Sequence, residues 1–286
     1  MIKTIPTKKL TNGFEMPVLG LGTWMMGEYP DLKVTEIKSV EMAINSGISH
    51  IDTAESYAQG GAEEIVGQAI KNFDRKKIFL VSKVAKNNLS FEDVIAAAKG
   101  SLKRLGVDYL DLYLVHKPNL EIPIAETMKA MNWLKKEGWI KNIGVSNFNI
   151  KRLEEAQSLC DSKIVANQLH LNLVVRETEK AGLVDYCQKN DMLFVAWRPL
   201  QTEGILGNPP KVMEEMMSKY QKTAAQIALN WLISQNNVVA ITKMGSQEHL
   251  DENLKAVGWQ METADIERLR KEFPNQRMVS DVVPLI

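Results

Sequence analysis

The sequence predicts an α/β chain closed into a (β/α)8 barrel, and three observations predict it. Short apolar runs recur eight times, at 18–22, Ile51, 78–81, 110–115, 143–145, 164–166, 193–196 and 238–241. Between them lie stretches whose apolar residues fall at steps of three and four, which puts those side chains on one face of a helix. The runs themselves are nearly continuous in apolar residues, as strands are when helices cover the sheet's outer face. Strands alternating with helices of about 10–15 residues make βαβ units and a parallel sheet. Eight such units in 286 residues suit a barrel better than an open doubly wound sheet.

Taken in order, residues 8–15 hold the pair Asn12-Gly13 between two short extended segments, a hairpin signal placed to lid one end of the fold. Val94, Ala98, Ser101, Leu102 and Leu105 share one helical face ahead of the 110–115 run. Leu183, Val184 and Cys187 do so after Glu177, and Ala224, Ala225, Ala228, Leu229 and Leu232 do so before the last strand. No repeat and no Pro/Gly/Ser-rich linker interrupts this rhythm. Residues 1–286 therefore read as one barrel domain with an N-terminal β-hairpin and an extra C-terminal helix and tail. The irregular stretches 116–124, 199–211 and 273–286 are either walls of a pocket or plain exposed loops.

Charge and composition exclude several functions. Thirty-five basic residues balance thirty-five acidic ones, so no broad field draws the chain to nucleic acid or an anionic membrane. No apolar run reaches the roughly 18 residues of a membrane span, and residues 1–6 lack a signal peptide's apolar core. Cys160 and Cys187 are too few and too far apart for a disulfide framework or a thiolate zinc site. A cytoplasmic monomer acting on small molecules, with no bound metal, is the expectation.

Barrel chemistry sits at the C-terminal ends of the strands. Those ends carry Gly22-Thr23-Trp24, Asp52-Thr53, Ser82-Lys83, His116, Ser146-Asn147, Asn167-Gln168, Trp197-Arg198 and Thr242-Lys243. Singly, each has an ordinary reading: Asp52 caps a turn, Tyr57 lies at the rim, Lys83 is solvated, His116 pairs with a carbonyl. Together, eight polar or stacking ends, among them the acid Asp52, the cation Lys83 and the imidazole His116, with the phenol Tyr57 five residues past Asp52, point to an active site. His50 and His170 read as structural.

At Leu19-Gly20-Leu21-Gly22-Thr23-Trp24, Ile51-Asp52-Thr53-Ala54 with Tyr57, Ser82-Lys83, 111–116, 143–148 and Asn167-Gln168, the chain resembles the aldo-keto reductases over essentially its whole length. The resemblance implies a (β/α)8 barrel that binds NADP(H) and reduces carbonyls, with a tetrad of Asp52, Tyr57, Lys83 and His116 in which Tyr57 donates the proton. It places Gly22, Thr23, Trp24, Asp52, Ser146, Asn147, Gln168, Trp197, Arg198, Leu200, Lys243, Met244, His249, Glu252 and Asn253 against the cofactor. Of these, Ser146, Asn147 and Gln168 would meet the carboxamide, Trp197 the nicotinamide face, Arg198 and Leu200 the pyrophosphate, and Lys243 the 2′-phosphate. It places Trp24, Tyr57, His116 and Lys117 against the substrate. Three departures stand out. Met244 replaces a usual serine and His249 a usual arginine, so NADP(H) is favoured but NAD(H) use is open. Lys117 replaces a common tryptophan, and either favours an anionic or hydrated substrate or points to solvent. Gly20-Leu21-Gly22 is no dinucleotide fingerprint, because Met25 stands where its third glycine belongs.

The chemistry explains why these groups would be needed. Carbonyl reduction takes a hydride on carbon, which no side chain supplies, and a proton on oxygen. A free tyrosine, with a pKa of about 10, is a reluctant acid, and an ammonium nearby is expected to lower that value by roughly one to three pH units. Lys83 would be that ammonium and Asp52 its partner, while His116 orients the carbonyl or relays a proton. Two other readings remain open at this point: a nicotinamide-binding, redox-sensing subunit with little turnover, and a barrel hydrolase or isomerase using Asp52 with Glu55.

Overall fold

The computed structural model describes residues 5–200, 206–283 and 285. A hairpin of β1 (Thr7–Lys9) and β2 (Glu15–Pro17) precedes eight parallel strands: β3 (Leu19–Gly22), β4 (His50–Asp52), β5 (Phe79–Val84), β6 (Leu112–Val115), β7 (Ile143–Ser146), β8 (Ile164–His170), β9 (Leu193–Trp197) and β10 (Val238–Thr242). Each pairs with the next in chain order, and β10 pairs back onto β3, closing the barrel. All eight apolar runs became these strands.

Around the barrel lie α1 (Lys33–Asn45), α2 (Gly61–Ile70), α3 (Phe91–Leu105), α4 (Ile124–Lys136), α5 (Ile150–Ser158), α6 (Glu177–Lys180), α7 (Leu183–Lys189), α8 (Lys211–Tyr220), α9 (Ala224–Ile233), α10 (Gln247–Leu254) and α11 (Thr263–Glu272). Their starts follow local chemistry. Ser90 caps α3 by accepting from Asp93 N, Asn149 caps α5, and Thr223 with Gln226 forms a reciprocal capping box on α9. Every residue of α9 is buried, which its apolar composition on all sides requires. The segment between β9 and β10 holds two helices rather than one, because Gln221 turns left-handed (φ 53°) and ends α8. The helix expected after Glu177 is likewise split, at Gly182 (φ 76°), into α6 and α7. α11 and the tail after it follow the last barrel unit.

Two apolar layers result. The larger lies between strands and helices. The smaller fills the barrel with Val81, Leu112, Leu114, Leu193, Val195, Val239 and Ile241, and Leu10, Phe14 and Met16 of the hairpin join it. Phe14 meets Phe79, at the start of β5, edge to face at 5.9 Å. The hairpin thus stoppers the N-terminal end, leaving the C-terminal end open. Beside it, His50 is fully buried on β4, where a side chain on Gly20 would press on the imidazole at 2.4 Å. Among the described residues, no helix is long and apolar enough to cross a membrane.

Candidate active site

Strand alternation aims Asp52, Lys83, Gln168 and Trp197 into the open end of the barrel. Lys83 and Asp52 are sealed from water, at 0% and 1% exposure, and Lys83 Nζ donates to Asp52 Oδ1 at 2.6 Å and to the Thr53 carbonyl at 2.8 Å. The Tyr57 hydroxyl lies 3.5 Å from the same ammonium. The Tyr57 and His116 rings meet edge to face at 5.5 Å. All four residues named from sequence therefore share one mouth.

A short run of unusual backbone brings Tyr57 in. Ala58, Gln59 and Gly60 all take positive φ (48°, 53° and 93°), reversing the chain between β4 and α2. The neighbouring loop is tied down at two points. Glu55 accepts from Ala85 N at 2.6 Å and from Asn88 Nδ2 at 3.0 Å, and Ser56 Oγ lies 3.1 Å from His116 Nδ1. The Glu55 carboxylate is thus engaged with the loop after β5, and Asp52 with Lys83, so the two do not form a free carboxylate pair.

The electrostatics reverse one expectation. The Tyr57 phenol lies above its ordinary pKa: desolvation of the hydroxyl disfavours phenolate, and the Asp52 carboxylate adds to that, together outweighing Lys83. Burial opposes the Lys83 ammonium, but Asp52 and Tyr57 prevail and raise its pKa. Burial, with the Lys83 and Lys117 cations beside it, holds His116 well below the ordinary histidine value, so the ring is neutral at neutral pH.

The remaining predicted residues fall into three groups. Ser146, Asn147 and Gln168 form a floor beside the tetrad. Ser146 Oγ donates to the Gln168 carbonyl at 2.8 Å, and left-handed Asn147 (φ 63°) donates to Ser146 Oγ and to the His116 carbonyl. Gln168 Nε2 donates to Asp52 Oδ2 at 2.8 Å, a link between floor and tetrad that the sequence did not reveal. Thr23 is buried, its hydroxyl on the Asp52 carbonyl at 3.0 Å. Half-exposed Trp24 lies under the Arg198 guanidinium, 4.8 Å from its ring centre. Leu200 packs against the apolar core, and Lys117 is half-buried with no ion-pair partner among the described residues.

The third group gathers near the start of α10. Lys243 and His249 are exposed, Ser246 caps the helix by accepting from His249 N, and buried Asn253 reaches the Lys243 carbonyl at 3.4 Å. Glu252 borders a surface depression of about 550 Å³ with Gln226 and Lys255. Met244 does not join them: its side chain is fully buried in the apolar core, where a thioether packs without cost. His170, read as structural, stacks flat on Trp197 with ring centres 4.2 Å apart. Its position two residues beyond Gln168 on β8 was the signal that could have placed it at the same mouth.

Comparison with known proteins agrees with this geometry. The model of the aldo/keto reductase family matches residues 18–272. The chain is 36% identical to methylglyoxal reductase YeaE of Escherichia coli over 263 residues, covering 91% of this chain and 92% of that protein. It is 36% identical to the glyoxal reductase of Bacillus subtilis over 265 residues, covering 92% and 91% of the two chains. Among solved structures, the aldo/keto reductase from Klebsiella pneumoniae in complex with NADP and acetate superposes with a TM-score of 0.86 at 32% identity, over 99% of this chain and 100% of that one. With an eight-stranded barrel, a phenol beside a buried ammonium, and matches spanning nearly the whole length, the chain belongs to the aldo/keto reductase family.

Proposed function

We propose that this aldo-keto reductase is an NAD(P)H-dependent oxidoreductase that reduces the aldehyde or ketone group of small molecules to an alcohol, with Tyr57 donating the proton. The observation that carries this reading is the Tyr57 hydroxyl 3.5 Å from an ammonium that is itself locked to Asp52. Small reactive carbonyls are the proposed substrates, in keeping with relatives named for methylglyoxal and glyoxal. Residues 1–286 act in this reading as one barrel domain.

The residues present fit a nicotinamide dinucleotide. Gly22 lies at the mouth with ordinary φ, and a Cβ there would meet nothing nearer than the Thr242 carbonyl at 3.9 Å. Neither backbone nor packing explains a glycine there, whereas close approach of a ligand does. Ser146, Asn147 and Gln168 offer the hydroxyl and amide groups that pair with a carboxamide, and Trp197 offers a ring face. Lys243, His249 and the amino end of α10 would hold a phosphate, so NADP(H) is favoured, with NAD(H) as the lesser partner. When bound, the nicotinamide supplies or accepts the hydride.

The chain's own groups do the rest. Tyr57 and neutral His116 flank the point where a carbonyl oxygen would settle, and both can donate a hydrogen bond to it. Negative charge gathering on that oxygen draws the Tyr57 proton across, and Lys83 stabilises the phenolate left behind. Asp52 keeps Lys83 charged and in place, and Gln168 holds the other oxygen of Asp52. A raised phenol pKa means Tyr57 stays protonated through neutral pH, as a donor must. Oxidation of NADPH in the presence of methylglyoxal by the purified chain, lost in Tyr57→Phe, is the test. Full turnover in Tyr57→Phe would refute the assignment.

A further inference from the structure

The ladder between β8 and β9 sets His170 directly opposite Trp197. Their rings are nearly parallel, 16° apart, with centres 4.2 Å from each other. His170 is 3% exposed and Trp197 partly exposed, so the imidazole covers one face of the indole, and the Arg198 guanidinium lies over the same ring, 5.9 Å from its centre.

The imidazole's own hydrogen bonds are determined by its neighbours. Asn172 Oδ1 accepts from Val174 N at 2.9 Å and Val175 N at 2.8 Å, which identifies its Nδ2 as the donating end. That nitrogen reaches the Arg198 carbonyl at 2.9 Å and His170 Nε2 at 3.4 Å. His170 Nε2 is therefore an acceptor, and a neutral ring then carries its proton on Nδ1, which donates to Ser280 Oγ at 2.8 Å. Burial, helped by the Arg198 cation, pulls the His170 pKa down to about 4, so the ring is neutral at working pH. Ser280 belongs to the C-terminal tail. Its N–H donates to Glu177 Oε2 at 2.9 Å, and Arg277 exchanges backbone bonds with Val174 and Arg176 just after β8.

We propose that His170, braced by Asn172 and Ser280, is the positioning residue that holds Trp197 flat against the nicotinamide, making cofactor affinity depend on the C-terminal tail. This rests on the functional reading above, in which Trp197 is the stacking wall. A parallel neutral ring keeps the indole from rotating about χ1 and χ2 without placing a cation behind a ring that becomes positive when oxidised.

The experiment is an NADPH titration of the full chain, followed by quenching of protein fluorescence, for the unmutated protein, His170→Ala, His170→Phe and Ser280→Ala, with kcat and KM for NADPH measured on each. His170→Ala should weaken NADPH binding about tenfold, the equivalent of one aromatic pair, and raise KM for NADPH more than it lowers kcat. His170→Phe keeps the stack and should stay within about threefold of the unmutated protein, and Ser280→Ala should fall between the two. Equal affinity in His170→Ala, or equal losses in the Ala and Phe variants, would overturn the positioning role. Should His170→Ala not fold, a long-range proton–nitrogen NMR spectrum of the four histidines decides: a proton on Nε2 of His170, or an NADPH affinity in Ser280→Ala no different from that of the unmutated protein, overturns it. A chain that binds neither NADPH nor NADH refutes the functional reading itself. One that binds NADPH regardless of His170 refutes only this inference.

Discussion

The ammonium of Lys83 stands 2.6 Å from Oδ1 of Asp52 with both side chains sealed from water. Such a pair is costly to bury, and its loss by halves is worse than its absence. Lys83→Met strands a carboxylate and should cost about 3–5 kcal/mol of stability as well as turnover. The double variant Asp52→Asn with Lys83→Met removes both charges and should recover part of that loss. Urea unfolding of the three proteins checks it: a double variant less stable than the single one would contradict the account.

Tyr57→Phe removes only the donated proton. Turnover with methylglyoxal should fall by about 10²- to 10⁴-fold, the usual worth of a positioned acid. NADPH binding, followed separately by fluorescence, should persist. Tight NADPH binding by the unmutated chain with negligible turnover across a broad carbonyl panel would instead favour a redox-sensing role.

Cofactor preference should respond to charge at α10. His249→Arg restores a fork that grips phosphate and should raise the preference for NADPH over NADH by about tenfold, while Lys243→Met should lower it by a similar factor. The ratio of kcat/KM for the two cofactors measures both. An unchanged ratio in the two variants would place the 2′-phosphate elsewhere.

Stability should fall in mild acid. His50 and His170 are held neutral by burial, each with a pKa of about 4. Unfolded, each takes its proton near pH 6.5, so the unfolded chain binds more protons between about pH 6.5 and 4. The stability these neutral rings contribute is complete above pH 6.5 and drains as the pH falls towards 4, by up to roughly 3 kcal/mol each. Urea midpoints measured from pH 7.5 to 4.5 should show this, and His170→Phe should flatten part of the slope.

Gly67→Ala sets two effects against each other. Alanine favours a helix by about 1 kcal/mol over glycine. A Cβ at position 67, however, would lie 2.5 Å from the Arg104 carbonyl, backbone that cannot step aside. Overpacking of this kind costs roughly 1–3 kcal/mol, so the clash should win and the melting temperature should drop. A rise would show that α2 slides freely on α3.

Much of this was legible in the residue order. Period and length alone marked all eight strands, because a strand covered on its outer face and packed within must be apolar throughout. Three of the four groups at one mouth, Asp52, Lys83 and His116, followed from their places at strand ends, whereas Tyr57 is carried there by the left-handed turn after β4. The boundaries of α6, α7 and α8 were not legible, since left-handed turns at Gly182 and Gln221 leave no apolar signature. Nor was the burial of Met244, which depends on what packs around it.

The sequence by itself determined the barrel and the family, and it named four residues to look for at the barrel's mouth, because strand periodicity and motif order are local and one-dimensional. Only the tertiary structure decided how those groups behave. That the phenol pKa rises rather than falls, that Gln168 braces Asp52, and that His170 backs Trp197 all depend on distances between residues remote in the chain and on the exclusion of water. Desolvation and directional hydrogen bonds act through space, and the order of residues does not record them.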